Sequence, residues 1–130
     1  MEPEIHSTGK LSDRYLTTLS NGRHTILADE PEDLQGTDLG FSPDELLAAA
    51  LTACTSITLR MYAARKEISF DTLHVSTRLE RSKEGNVFFR TIAIEPPVSA
   101  DEQASLLRIA EKCPVHKTLE NSNTINTIFL

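Results

Sequence analysis

The sequence predicts an α+β domain, with mostly antiparallel sheet wrapped around one long buried central helix. Three observations predict it. Two stretches alternate apolar and polar residues on either side of a turn signal. One long apolar run opens with helix-start residues and closes with basic ones. A shorter amphipathic run follows the second alternating pair. At 130 residues and 39% hydrophobic content, the chain reads as a single domain over 1–130. Aromatic residues make up 5% and tryptophan is absent, so Leu, Ile, Val and Ala must fill the core.

The elements follow in order. Residues Met1 to Leu11 read as a loose start. "RYLTTLSNGRHTILADEP" reads as a hairpin, with Asn21-Gly22 supplying the positive φ angles of a type I′ turn and Arg23 to Ala28 returning as a second strand. "EDLQGTDLG" is a turn-rich loop. In "FSPDELLAAALTACTSITLRMYAARKEI", Ser42 is placed as the N-cap and Pro43 as the first helical residue. Asp44 and Glu45 suit the positive end of the helix dipole, and Arg65 and Lys66 the negative end. Leu46, Leu47, Leu51, Ile57, Leu59 and Met61 occupy more than one face, which marks a helix covered by other structure.

Leu73, Val75, Thr77 and Leu79 alternate with His74, Ser76, Arg78 and Glu80, the pattern of a half-buried strand. "SKEGN" turns the chain, and "VFFRTIAIE" returns before Pro96-Pro97. Ser99 and Glu102 have the spacing of a capping box. Leu106, Leu107, Ala110 and Cys113 then share one helical stripe, and Pro114 ends that helix. "TINTIFL" predicts a final strand.

The formal charge of −6 argues against a nucleic-acid partner, which needs a Lys/Arg footprint. "MEPEIHSTGK" has no apolar run behind a basic start, and the apolar stretch Leu46 to Ala64 is broken by Thr52, Thr55, Ser56, Thr58 and Arg60. The expectation is a cytoplasmic protein with no membrane span. In that compartment two cysteines are free, catalytic or redox-sensing rather than structural.

Cys54 and Cys113 lie on two elements that both want burial. Two readings stay open on the residues alone. Free cysteine packs as a small hydrophobe, so both can be core. If the helices meet, the pair can work as thiols. Metal binding is disfavoured: Cys113 and His116 make one C-x-x-H spacing, but His6, His24 and His74 fall elsewhere and no second close pair exists. His116 reads as a surface or capping residue. There is no phosphate-binding glycine loop and no nucleophile elbow.

"SPDELLAAALTACT" followed by "IAEKCPVHKTL" resembles the osmotically inducible protein C and organic hydroperoxide resistance (OsmC/Ohr) superfamily, and "CTSITLRMYAARK" with "CPVHKTLE" is most similar to its general OsmC-like branch. The resemblance runs from about Gly40 to the C-terminus. It implies the OsmC-like fold, an intertwined homodimer, and a thiol-dependent peroxidase of oxidative-stress defence acting on organic hydroperoxides. Cys54 is then the peroxidatic thiolate and Cys113 the resolving cysteine. No cofactor is implied beyond an external dithiol or lipoyl-type reductant.

An apolar helix raises a thiol's pKa, so a cation must offset it. The resemblance implies an arginine held by a glutamate, and the glutamate's position is Asp44, with Glu45 next. Asp44 stands about 15 Å along the helix from Cys54, so its carboxylate can serve only through an arginine or across a subunit boundary. For the arginine, Arg23 in "NGR" is the candidate, with Arg14 and Arg60 as others. Two further hypotheses remain: a non-catalytic module holding a small hydrophobic or electrophilic ligand in the same cleft, and a fold retained for another role with both cysteines as core.

Overall fold

The computed structural model describes residues 2–130, and its contacts divide the chain into one compact unit ending at Leu47 and a second over Ala48–Leu130. Among the described residues ten elements are formed, two of them short 3-10 turns.

The first unit carries a three-stranded antiparallel sheet of β1 (His6–Gly9), β2 (Thr17–Ser20) and β3 (Thr25–Ala28), in that order. β1 lies in the stretch expected to be loose. Its register, His6 opposite Ser20 through Gly9 opposite Thr17, completes the edge of the hairpin. The hairpin itself is as expected, but its turn is not type I′. Ser20 pairs with Thr25, so four residues make the loop, and only Gly22 takes positive φ, at 94°. Asn21 contributes through its side chain instead: Oδ1 accepts from the backbone N–H groups of Arg23 (2.9 Å) and His24 (2.7 Å).

After β3, the buried Asp29 organises the loop that follows. Its Oδ2 accepts from the Thr37 hydroxyl at 2.6 Å and the Leu39 N–H at 3.1 Å, and its Oδ1 from the Glu30 N–H at 2.8 Å. The Thr37 hydroxyl first, and then the backbone donors, hold this carboxyl below its ordinary range against the opposing effect of burial. The same loop passes close to its own strand: a Cβ on Gly36 would lie 1.9 Å from the Glu30 carbonyl oxygen, which leaves room for glycine alone.

Helix α1 (Pro43–Lys66) starts and stops as its sequence directs. Ser42 and Glu45 close a capping box, with Ser42 N–H donating to Glu45 Oε1 at 2.9 Å and Glu45 N–H to Ser42 Oγ at 3.2 Å. At the other end Glu67 turns left-handed (φ 55°) and the Ile68 N–H reaches back to the Ala63 carbonyl at 2.9 Å, a Schellman closure. Within one chain only the i, i+4 stripe Leu51, Thr55, Leu59 and Ala63 is buried; Ile57 and Met61 on other faces remain exposed. The helix's best window has a mean hydropathy of 1.4 over a length sufficient to cross a membrane, so composition alone does not exclude a span. The same length and hydropathy suit the core helix of a globular unit, and that is the role the stripe plays here.

In the second unit, β4 (Thr72–Glu80) and β5 (Val87–Glu95) pair antiparallel from Thr72 opposite Glu95 to Glu80 opposite Val87. Alternate residues on each strand are half-buried, as the period of two requires. α2 (Ala100–Ala110) opens on the expected capping box, Ser99 with Glu102, which contributes about 1 kcal/mol. The core is Leu59, Leu106 and Ala110, with Leu73, Ile92 and Ile94 from the sheet packed against it. Full burial of Leu59 alone contributes on the order of 2 kcal/mol.

Two expectations at the C-terminal end are corrected. α2 stops at Ala110, so Cys113 lies beyond its stripe, and Leu107 is exposed. Cys113 instead begins a further helix, α3 (Pro114–Glu120), with Pro114 at the first helical position. Proline cannot continue α2, but its fixed φ suits a new start. "TINTIFL" forms no strand: 122–130 carries no regular structure and Ile128, Phe129 and Leu130 are exposed, because no strand of this chain pairs with it.

Candidate active site

The inward face of β5 reads Phe88, Arg90, Ile92, Ile94, and the face of β4 opposite it reads Leu79, Thr77, Val75, Leu73. One cation therefore stands on an otherwise apolar surface, directly across from a threonine. α1 answers with hydroxyls. Thr52 Oγ1 donates to Thr77 Oγ1 at 2.8 Å, and Thr55, fully buried, donates to the Leu51 carbonyl at 2.7 Å and accepts from Arg90 Nη1 at 3.0 Å. These bonds satisfy groups whose burial would otherwise be costly.

The second guanidinium nitrogen of Arg90 lies 3.0 Å from His116 Nδ1. A guanidinium only donates, so Nδ1 must be the acceptor and the ring proton must sit on Nε2. That nitrogen faces Glu120 Oε2 at 3.1 Å. A neutral His116 thus stands between an arginine and a carboxylate with both ring nitrogens engaged.

Beside this arrangement the two cysteines meet. Cys54 is half-buried on the flank of the α1 stripe, and its sulfur lies 3.9 Å from the Thr58 hydroxyl one turn on. Cys113 is fully buried, and its sulfur accepts the His116 N–H at 3.4 Å as the N-cap of α3. Both are free thiols, and each shifts the acidity of the other.

Their acidities separate. Burial pushes the Cys54 thiol up, but the Cys113 thiol, the Val115 N–H, the Thr58 hydroxyl and the Arg90 charge together outweigh it, and the net direction is down. Cys113 goes the other way: burial raises it first, and the Cys54 sulfur raises it further by bonding and by charge. The pair thus sets a more acidic thiol beside a less acidic one.

The structure brings together Cys54 and Cys113 out of the five residues singled out from sequence. Glu45 has its carboxylate in the capping box, and Asp44 stands beside it in the first turn of α1. Arg23 sits in the β2–β3 loop with an exposed side chain. Of the other arginines considered, Arg14 bonds the Gln35 carbonyl at 3.1 Å and Arg60 the Ser56 carbonyl at 3.2 Å. The cation beside Cys54, Arg90, was missed, as were His116 and Glu120. The signal for Arg90 was present: strict alternation in "VFFRTIAIE" puts it on the same face as Phe88, Ile92 and Ile94. Nothing comparable marked His116, which depends on α3.

Two grooves border the cluster. One of about 480 Å³ runs between β5 and α2, and another of about 430 Å³ opens toward Leu119 and Glu120; Arg90 and His116 line both. Among the described residues no group of three or more His, Cys, Asp or Glu is placed to hold a metal ion.

The model of the OsmC-like protein family matches residues 36–128. A search of curated proteins finds no match. Among solved structures, the chain is similar to a protein of Psychrobacter arcticus 273-4 named for osmotic stress induction and detoxification response, at 23% identity and a TM-score of 0.77, covering 91% of this chain and 88% of that one. It is similar to an OsmC-like protein from Mycoplasma pneumoniae at 23% identity and 0.73, covering 92% and 88%. It is also similar to the organic hydroperoxide resistance protein OhrB of Bacillus subtilis at 20% identity and 0.61, covering 91% and 90%.

Proposed function

Because this chain belongs to the OsmC-like protein family, we propose that it is a thiol-dependent peroxidase that reduces organic hydroperoxides through Cys54 and Cys113. The observation that carries the reading is the meeting of the two thiols with their acidities driven apart. The presence of organic hydroperoxide resistance proteins among its structural neighbours supports the class of substrate.

The chemistry runs in three balanced steps. The Cys54 thiolate attacks the hydroperoxide oxygen distal to carbon; the O–O bond breaks, Cys54 becomes a sulfenic acid, and the alkoxide leaves as the alcohol after taking a proton. The Cys113 thiol, as thiolate, then attacks the Cys54 sulfur; a disulfide forms and water leaves. An external dithiol or lipoyl-type reductant exchanges with that disulfide, returning both thiols and leaving itself oxidised. Arg90 supplies a cation that favours the attacking thiolate. Asp44 and Glu45, about 15 Å of helix away, enter the reading only from a second subunit.

The reading includes a homodimer and a cytoplasmic setting. The dimer is supported by apolar side chains left open on α1, α2 and the tail: Ile57, Met61, Leu107, Phe129. Sedimentation should give twice the chain's 14.4 kDa; a species of monomer mass at micromolar concentration would overturn that part.

The direct test is intact mass under denaturing, thiol-blocking conditions before and after one equivalent of cumene hydroperoxide, with peptide mapping. A rapid Cys54–Cys113 disulfide is expected. Two thiols that remain free and alkylatable would sink the proposal. A second reading, a non-catalytic binding module, has one observation in its favour: neither cysteine lines the 480 Å³ groove. It predicts ligand binding that survives Cys54→Ser.

A further inference from the structure

The guanidinium of Arg90 could rotate freely on a strand facing a groove, yet each of its two terminal nitrogens is bonded to a protein atom. The Thr55 hydroxyl fixes one. The other is fixed by a ring nitrogen that accepts only while His116 is neutral and carries its proton on Nε2. A Glu120 oxygen 3.1 Å from Nε2 selects that tautomer. His116 is well covered, with 19% of its side chain exposed, while Glu120 reaches it from the rim at 58%.

We propose that His116 and Glu120 are positioning residues for Cys54: the Glu120–His116 pair holds Arg90 by its second nitrogen, and Arg90 in turn sustains the Cys54 thiolate. This rests on Cys54 being the nucleophile of the reading above. It explains why a histidine with no peroxide chemistry of its own is built into the first turn of α3, three residues after the resolving cysteine. The groups that face His116 are Arg90 from β5, Glu120 from its own helix, and Glu111 at the end of α2 across the shared groove, with the Cys113 thiol beside it. The bond to Arg90 needs an acceptor at Nδ1, so any side chain without one at that place leaves the second guanidinium nitrogen unheld.

The test uses the full-length reduced protein and iodoacetamide, with peptide mapping to read Cys54 alkylation against pH. It needs no peroxide, so its failure leaves the peroxidase reading standing, and failure of peroxide-driven disulfide formation leaves this test intact. His116→Leu removes the acceptor and should move the profile to higher pH, slowing Cys54 alkylation at neutral pH about three- to tenfold. His116→Asn places an amide oxygen near the Nδ1 position and should recover most of that loss. The proposal is overturned if folded His116→Leu follows the wild-type profile, or if His116→Asn is displaced as far as His116→Leu, which would mean structural damage alone. If His116→Leu does not fold, Glu120→Leu at the exposed rim takes its place: a shift in the same direction supports the proposal, and a superimposed profile overturns it.

Discussion

Cys54→Ser is expected to abolish hydroperoxide reduction and disulfide formation together while leaving the protein folded. The substitution replaces a half-buried sulfur by a smaller oxygen that can still bond the Thr58 hydroxyl, so the α1 stripe of Leu51, Thr55, Leu59 and Ala63 stays in place. A serine hydroxyl beside Arg90 does not ionise at neutral pH and cannot carry the oxidation states the reaction needs. The companion variant Cys113→Ser should behave differently. Cys54 is still oxidised by the first equivalent of peroxide but accumulates as a sulfenic acid, detectable as one added oxygen by mass, and turnover stalls. Peroxide consumption at the wild-type rate by Cys54→Ser would remove Cys54 from the mechanism. A wild-type rate in Cys113→Ser, with Cys54→Ser inactive, would remove only Cys113.

Arg90→Met should cost up to about one order of magnitude in Cys54 reactivity at neutral pH, the second-largest effect expected in the molecule. Methionine follows the apolar stem of arginine and suits a strand face shared with Phe88, Ile92 and Ile94. The charge goes, and with it the donors to Thr55 and His116. Arg90→Lys keeps a charge but offers no planar fork, so it should recover only part of the loss. Rates of Cys54 alkylation and of peroxide reduction, measured on the same samples with a circular-dichroism melt, check this. Unchanged rates in a folded Arg90→Met would mean that some other cation serves Cys54.

The residues that could be read from sequence are those whose signals are local. The capping boxes at Ser42 and Ser99, the alternation of Leu73 to Leu79 and the turn at Gly22 depend on neighbours within a few positions, and the elements they announce are present. The type I′ turn was misjudged because Asn21 had two ways to serve a turn, and its side chain, not its backbone, does so. The strand expected in "TINTIFL" failed because a strand needs a partner, which pattern alone does not supply. At the site, the two cysteines were found because thiols are rare and chemically conspicuous. Arg90 lies at none of the positions that the family resemblance offers for an arginine, and only the alternation of its strand places it on the face of Phe88, Ile92 and Ile94. His116 and Glu120 were beyond reach: their meeting with Arg90 depends on α3, whose start at Pro114 was read only as an end.

The carboxylate of Asp29 has a consequence for proton balance. Held in its ionised form by Thr37, Leu39 and Glu30, it binds a proton less readily folded than unfolded. Unfolding in acid therefore takes up a proton at this residue. Its contribution to stability is complete above the unfolded carboxyl value of about 3.9 and drains away as pH falls below that through the lower folded value. The loop from Asp29 to Leu39 becomes an acid-released clasp: thermal melts repeated down the pH scale should lose stability over that window, and Asp29→Asn, already without the charge, should lose less.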